Sequence, residues 1–190
     1  MHLRFINYSL LLIWIISSPT SWATNTQALS PLPNEVKEKW NNFSLVGQTK
    51  LRRYGFHVYD SSFWTIGDRS DDFNSANFLR ANSYALSITY ARNISVQQLL
   101  SSTKKEWQRL GFAGLYPLDA WLTMLENIWP SVEKGDQLVA VVTTEGKTTF
   151  FSKSSSLGTI DDVNFGPAFL SIWLDENSRF KKNRRELLGE

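Results

Sequence analysis

Gln48-Thr49-Lys50-Leu51-Arg52-Arg53-Tyr54-Gly55-Phe56-His57-Val58-Tyr59-Asp60 is the stretch whose reading decides the architecture. A bulky residue followed by glycine, set between two runs of alternating character, predicts a tight hairpin turn at Tyr54-Gly55 joining strands over 48–53 and 56–64. With that turn, Arg53 opposes Phe56, Arg52 opposes His57, and Lys50 opposes Tyr59. Directly opposed residues share a face of the sheet. One face then carries Lys50, Arg52, His57 and Tyr59; the other carries Leu51, Arg53, Phe56 and Val58. Polar-out, apolar-in alternation accounts for this with no function attached. The same face also suits an anion: a guanidinium fork grips a carboxylate through two charge-assisted bonds, and a tyrosine hydroxyl adds a third.

The rest of the chain fits around this hairpin. Residues 66–82 are polar and read as a loop. Ser83 to Ala91 alternates Tyr84, Leu86, Ile88 and Tyr90 against Ala85, Ser87, Thr89 and Ala91, which is a strand. Ser95 is placed to cap a helix whose apolar positions are Val96, Leu99, Leu100, Trp107 and Leu110, and which Gly111 ends. Leu118, Trp121, Leu122, Leu125 and Trp129 mark a second helix between Pro117 and Pro130. A second hairpin pairs 138–144 with 148–152 through Glu145-Gly146. Asp161-Asp162 is expected to open a third helix containing Phe165, Phe169, Ile172 and Trp173, and the basic tail 178–188 a last short one. Strands and helices are segregated more than alternated, so the fold class is α+β, an antiparallel sheet with helices packed on one face.

The N-terminus has a different character. His2, Arg4 and Asn7 precede the apolar run Leu10-Leu11-Leu12-Ile13-Trp14-Ile15-Ile16, then Ser17-Ser18-Pro19 and the small-x-small tripeptide Ser21-Trp22-Ala23. That order is a secretory signal peptide, with cleavage expected after Ala23. The run is far shorter than the ~20 apolar residues a spanning helix needs, so no stable membrane anchor is expected after cleavage. The expected location is periplasmic or secreted. The divisions are a signal peptide over 1–23, a leader with a short helix over 24–42, and one domain over 43–190.

Composition narrows the chemistry. The 190 residues carry a formal charge of +2, and loss of Arg4 with the signal leaves +1, which gives no electrostatic reason to expect nucleic acid. There is no cysteine, and His57 is the one histidine beyond residue 23. Thiolate zinc sites, cysteine nucleophiles and multi-histidine metal clusters are therefore excluded, and no G-x-S-x-G elbow is present. No cofactor is expected. The 8 Trp and 12 Phe either fill a core or line an apolar cavity.

Gly47-x-x-x-Leu51-Arg52 followed by Gly55-Phe56-x-Val58-Tyr59 resembles the opening hairpin of the bacterial chalcone isomerase-like proteins. Ile88-x-Tyr90-x-Arg92-x-Ile94-Ser95, Lys134-Gly135-Asp136-x-Leu138, Gly158-x-Ile160, Phe165, Ile172-Trp173-Leu174 and Glu186-Leu187-Leu188-Gly189 continue the resemblance to about residue 189. It implies an antiparallel sheet with a ligand cleft under its helices. The wider family includes plant enzymes that cyclise chalcones and non-enzymatic members that bind fatty acids. By this resemblance Arg52 takes the family's arginine position, with Arg53 adjacent, and Tyr59 stands where the enzymes have threonine and the fatty-acid binders a tyrosine. Ser95, Gln97 or Gln98, and Leu100-Ser101-Ser102 stand where the enzymes have Tyr, Lys and Asn. The expectation is a non-catalytic binder of a fatty acid or similar small amphipathic carboxylate, with Arg52, Tyr59, His57 and Lys50 as ligand-binding residues. The alternatives are an isomerase (an intramolecular lyase acting on an enone) and an interaction protein whose cleft is filled by its own side chains.

Overall fold

The computed structural model describes residues 27–67 and 78–190. The expected signal peptide lies outside those residues, as does most of the polar loop; its end forms a short helix, α2 (Phe78–Ala81). Six strands form one antiparallel sheet in chain order: β1 (Ser44–Arg53), β2 (Phe56–Ile66), β3 (Ser83–Tyr90), β4 (Gln137–Val142), β5 (Lys147–Phe151) and β6 (Ser156–Asp161). Between β3 and β4 the chain leaves the sheet as α3 (Val96–Arg109) and α4 (Leu118–Ile128); after β6 come α5 (Phe165–Leu174) and α6 (Lys181–Leu188). Antiparallel neighbours need only short turns, so the meander places every strand beside its sequence neighbour.

The first hairpin turns at Tyr54-Gly55, with φ of 51° and 81° at the two residues. Two positive φ angles are what a type I′ turn requires, and its twist matches that of the strands. Arg53 opposes Phe56 and Arg52 opposes His57 as expected, but Leu51, not Lys50, opposes Tyr59, and Lys50 opposes Asp60. The irregularity is a β-bulge: Val58 has no partner on β1, so the alternation of β2 reverses there.

Ser95 caps α3 as its position predicts. Its hydroxyl accepts from Gln98 N at 3.3 Å, while the Gln98 side chain accepts from Ser95 N at 2.9 Å, a reciprocal box that satisfies two otherwise orphan donors. The buried stripe Leu100, Thr103 and Trp107 faces the sheet side of the domain. Trp107 Nε1–H donates to Ala168 O at 2.9 Å, and Trp121 Nε1–H donates to Asp162 Oδ2 at 2.9 Å. These bonds tie α3 to α5, and α4 to the turn before α5, so that the indole rings bury their apolar bodies without leaving a polar handle unpaired. Helices α3, α4 and α5 cover one face together with Phe150, Phe165 and Phe169.

The opposite face has its own cover. Leu32 and Val36, the latter on α1 (Asn34–Lys39), pack on Ala85, Val139, Val141 and Phe151. Ser30 Oγ lies 2.8 Å from both Ser87 Oγ and Thr89 Oγ1, and Gln137 Nε2 donates to Pro31 O at 2.6 Å and to Ser87 Oγ at 2.9 Å. The segment from Leu29 to α1 is thus an integral strap across the sheet.

The edge strand β1 is closed by α6. The backbone carbonyls of Glu186 and Leu187 come so near Gly47 that an added Cβ would lie 2.2 Å and 2.6 Å from them. Glycine at 47 is required by that close approach, and the helix blunts an edge that would otherwise be open to pairing.

Candidate functional site

Between the sheet and the helices that cover it lies a cavity of about 170 Å³. Its floor is the helix-facing side of the sheet: Val58 and Tyr59 of β2, Leu86, Ile88 and Tyr90 of β3, Leu138 and Ala140 of β4, and Phe150 of β5. Its roof is Leu99, Ser102, Thr103 and Glu106 of α3 with Phe169, Ile172 and Trp173 of α5. Arg53, on the hairpin, and Phe180, before α6, complete it. Arg53 and Ser102 are exposed, whereas Tyr90, Thr103 and Ile172 are buried, so the cavity runs from a polar rim to an apolar interior.

The bulge at Val58 decides which side chains reach it. Val58 and Tyr59 both line the cavity, and Arg53 lines it from the neighbouring strand. Arg52, His57 and Lys50 are not among the lining residues. His57 Nε2 sits 3.0 Å from Asp60 Oδ1 and Lys50 Nζ 3.9 Å from the same atom, and Asp60 opposes Thr89, on the strap side of the sheet. The expected single face of Lys50, Arg52, His57 and Tyr59 is therefore split. Regular alternation puts all four together; one unpaired residue separates Tyr59 from the rest. Between Arg52 and Arg53, it is Arg53 that borders the cavity.

Tyr59 is held by a donor. Trp173 Nε1–H donates to its hydroxyl oxygen at 2.8 Å, which fixes the oxygen and leaves its proton for another acceptor. Burial pushes the Tyr59 hydroxyl up to about 12; the Trp173 bond opposes this, and the nearby Glu106 carboxylate adds to it. Tyr90 opposes Tyr59 across the strands, their rings edge to face at 6.3 Å, and burial raises its hydroxyl also, with Tyr59 contributing. Both are neutral hydrogen-bond donors at ordinary pH, and the Tyr90 hydroxyl makes no hydrogen bond within the described residues. Glu106 is the carboxylate of the cavity, and it is neutralised from outside: Arg109 Nε at 2.7 Å and Arg179 Nε at 3.3 Å pair with its two oxygens. Arg53 makes no ion pair among the described residues, and its guanidinium lies 5.4 Å from the centre of the Tyr54 ring.

The sequence does not single out Glu106 and Trp173 as site residues, and marks Ser102 only as standing, with Leu100 and Ser101, where the family's enzymes have another group. Glu106 is one charge among several on α3, and nothing in its spacing marks it. Trp173 belonged to the expected core stripe of α5. No group of acidic, histidine or cysteine residues that could hold a metal occurs among the described residues.

An antiparallel sheet carrying an apolar cavity under its helices, lined by two tyrosines and an arginine, makes this an α+β domain with a cavity between its layers. Residues 24–189 match the chalcone isomerase-like family, and the chain belongs to that family. The crystal structure of a fatty-acid binding protein of Arabidopsis thaliana is similar to it, with a TM-score of 0.63 and 11% sequence identity over 78% of this chain and 87% of that one. At that identity the likeness establishes the fold. Among curated proteins, none matches the chain in sequence.

Proposed function

We propose that the protein binds a small amphipathic carboxylate, a fatty acid of short to medium chain, without turning it over. The observation that carries this reading is the Tyr59 hydroxyl: its oxygen accepts from Trp173, nothing among the described residues accepts its proton, and it lines an apolar cavity with Arg53, which makes no ion pair among those residues. A carboxylate meeting Arg53 and Tyr59 gains charge-assisted bonds where water is partly excluded, while its hydrocarbon lies against Ile88, Leu138 and Phe169. The structurally similar plant protein is a fatty-acid binding protein, which supports the same choice. The cavity is below the ~300 Å³ at which ordinary ligand pockets begin, which favours a short chain. Arg53 takes the place of Arg52 in this reading, because Arg53 is the one beside the cavity.

Turnover of an enone fits less well. General base work needs a group whose proton leaves near working pH, and burial holds the Tyr59 proton up to about 12. Of the residues that stand where the enzymes have Tyr, Lys and Asn, Ser95, Gln97 and Gln98 do not line the cavity; Ser102 does, and its hydroxyl is no base near working pH. We further infer that the chain is exported and cleaved after Ala23, on the strength of its apolar run and small-x-small tripeptide. N-terminal sequencing of the protein from its own host checks this; an intact Met1 start would refute it.

Native mass spectrometry of the protein purified from that host, followed by solvent extraction, tests the binding reading. A stoichiometric carboxylic acid is expected. A bound species lacking a carboxyl group, or no binding when decanoate is added back, would refute it.

A further inference from the structure

The tip of the β1–β2 hairpin presents a surface the binding site does not use. Tyr54 is 86% exposed and Phe56 69% exposed, two large aromatic side chains in water within three residues. Scattered single apolar residues are ordinary on a surface, but neighbouring ones are not. Tyr54 also holds a φ of 51°, a left-handed conformation that glycine or asparagine adopts more readily. The hairpin therefore carries a ring where turn chemistry prefers a small polar residue.

The arginines around that tip make no ion pair among the described residues, and Arg52 and Arg53 are exposed. Arg92 joins them: Ala91 N donates to Val58 O at 2.9 Å, so the chain leaving β3 runs beside the hairpin, and Arg92 is exposed and likewise makes no ion pair among the described residues. Of the acids on this side, Asp60 is occupied by His57 and Lys50, and Glu106 by Arg109 and Arg179, while Glu133 and Asp136 lie on the turn that bonds to Tyr90 and Asn93, where the Asp136 carboxylate accepts from Glu133 N. Exposed aromatic rings flanked by free guanidiniums match the interface of a bilayer with anionic headgroups, where rings settle at headgroup depth and cations meet phosphates. Phe56 opposes Arg53, which lines the cavity, so the aromatic tip stands beside the cavity's polar rim.

We propose that the β1–β2 hairpin docks the protein reversibly on an anionic bilayer surface, with Tyr54 and Phe56 entering the interface and Arg52 and Arg92 meeting headgroup phosphates. The docked orientation turns the cavity rim toward the lipid, so that an amphipathic ligand passes between bilayer and cavity. That use of the docking rests on the binding reading above; the docking itself does not.

Vesicle co-sedimentation tests it, with wild type, Tyr54→Ser/Phe56→Ser and Arg92→Gln all carrying the same N-terminus, so that any contribution of the N-terminal apolar run is common to all. Wild type is expected to sediment with phosphatidylcholine vesicles containing phosphatidylglycerol and far less with phosphatidylcholine alone. The double aromatic variant is expected to lose about tenfold in vesicle affinity, and Arg92→Gln about threefold to fivefold, the latter fading at high salt. Decanoate affinity measured without vesicles is expected to be unchanged in the aromatic variant, since neither ring lines the cavity. Equal sedimentation of wild type and aromatic variant overturns the docking. So does indifference to phosphatidylglycerol, including the case in which the tip instead mediates association between protein molecules in solution. Failure of decanoate to bind any variant, with vesicle binding intact, removes the ligand reading and leaves the docking standing.

Discussion

The two faces of the sheet are built on different terms. On the strap side, Ser30, Ser87, Thr89 and Gln137 satisfy one another, and Leu32 and Val36 close over Ala85, Val139 and Val141. On the helix side, the packing is aromatic, and it leaves a cavity with two tyrosine hydroxyls and an unpaired arginine around it. A buried polar network that is complete rigidifies a structure and binds nothing further. Groups left with free donors beside empty apolar space are where a ligand gains most. The contrast separates a face whose polar groups satisfy one another from a face that offers its groups to a ligand.

Breaking the strap face should cost the most stability. Leu32→Ala is expected to lose about 2–4 kcal/mol in chemical denaturation, by lost transfer energy and the hole left over Val139. A loss under about 1 kcal/mol would mean that the strap is peripheral. Next is alkaline pH. Tyrosines of the unfolded chain ionise near 10, whereas Tyr59 resists to about 12. Its folded value is the higher one, so its contribution is complete below pH 10 and is lost as pH rises toward 12, by about 2–3 kcal/mol. Denaturation across that window in wild type and Tyr59→Phe measures it, and the variant should show the shallower fall. Ser87→Ala is expected to cost about 1–2 kcal/mol, because it deprives Ser30 and Gln137 of a shared partner. Smallest in stability is Ala140→Leu on the cavity floor. It should change stability by less than about 1 kcal/mol while weakening decanoate binding tenfold or more, since the added atoms enter space that is already open.

The same contrast marks what could be read from the chain alone. The first hairpin, its turn at Tyr54-Gly55, the strand ending at Tyr90, the Ser95 cap and both helices between β3 and β4 follow from period and punctuation, which are local. β6 was not anticipated. Ser-Leu-Gly-Thr-Ile-Asp alternates weakly, and Gly158 is there because Ile128 of α4 packs within 2.9 Å of where its Cβ would be. Asp161, expected to open a helix, ends that strand instead, and α5 begins at Phe165. The strap reads in the sequence only as a leader with a short helix, because its bonds run to residues some fifty to a hundred positions away. The site depended on one unpaired residue. A bulge leaves no mark on composition, yet it moves Lys50 and His57 to the strap side and Tyr59 to the cavity.

Calorimetric titration of decanoate into wild type, Tyr59→Phe and Arg53→Gln tests the central claim directly. Saturable one-to-one binding to wild type, weakened about tenfold by each substitution (the worth of one charge-assisted hydrogen bond), is the predicted result. Equal affinity in all three proteins would contradict it, because the carboxylate would then lie somewhere other than between Arg53 and Tyr59.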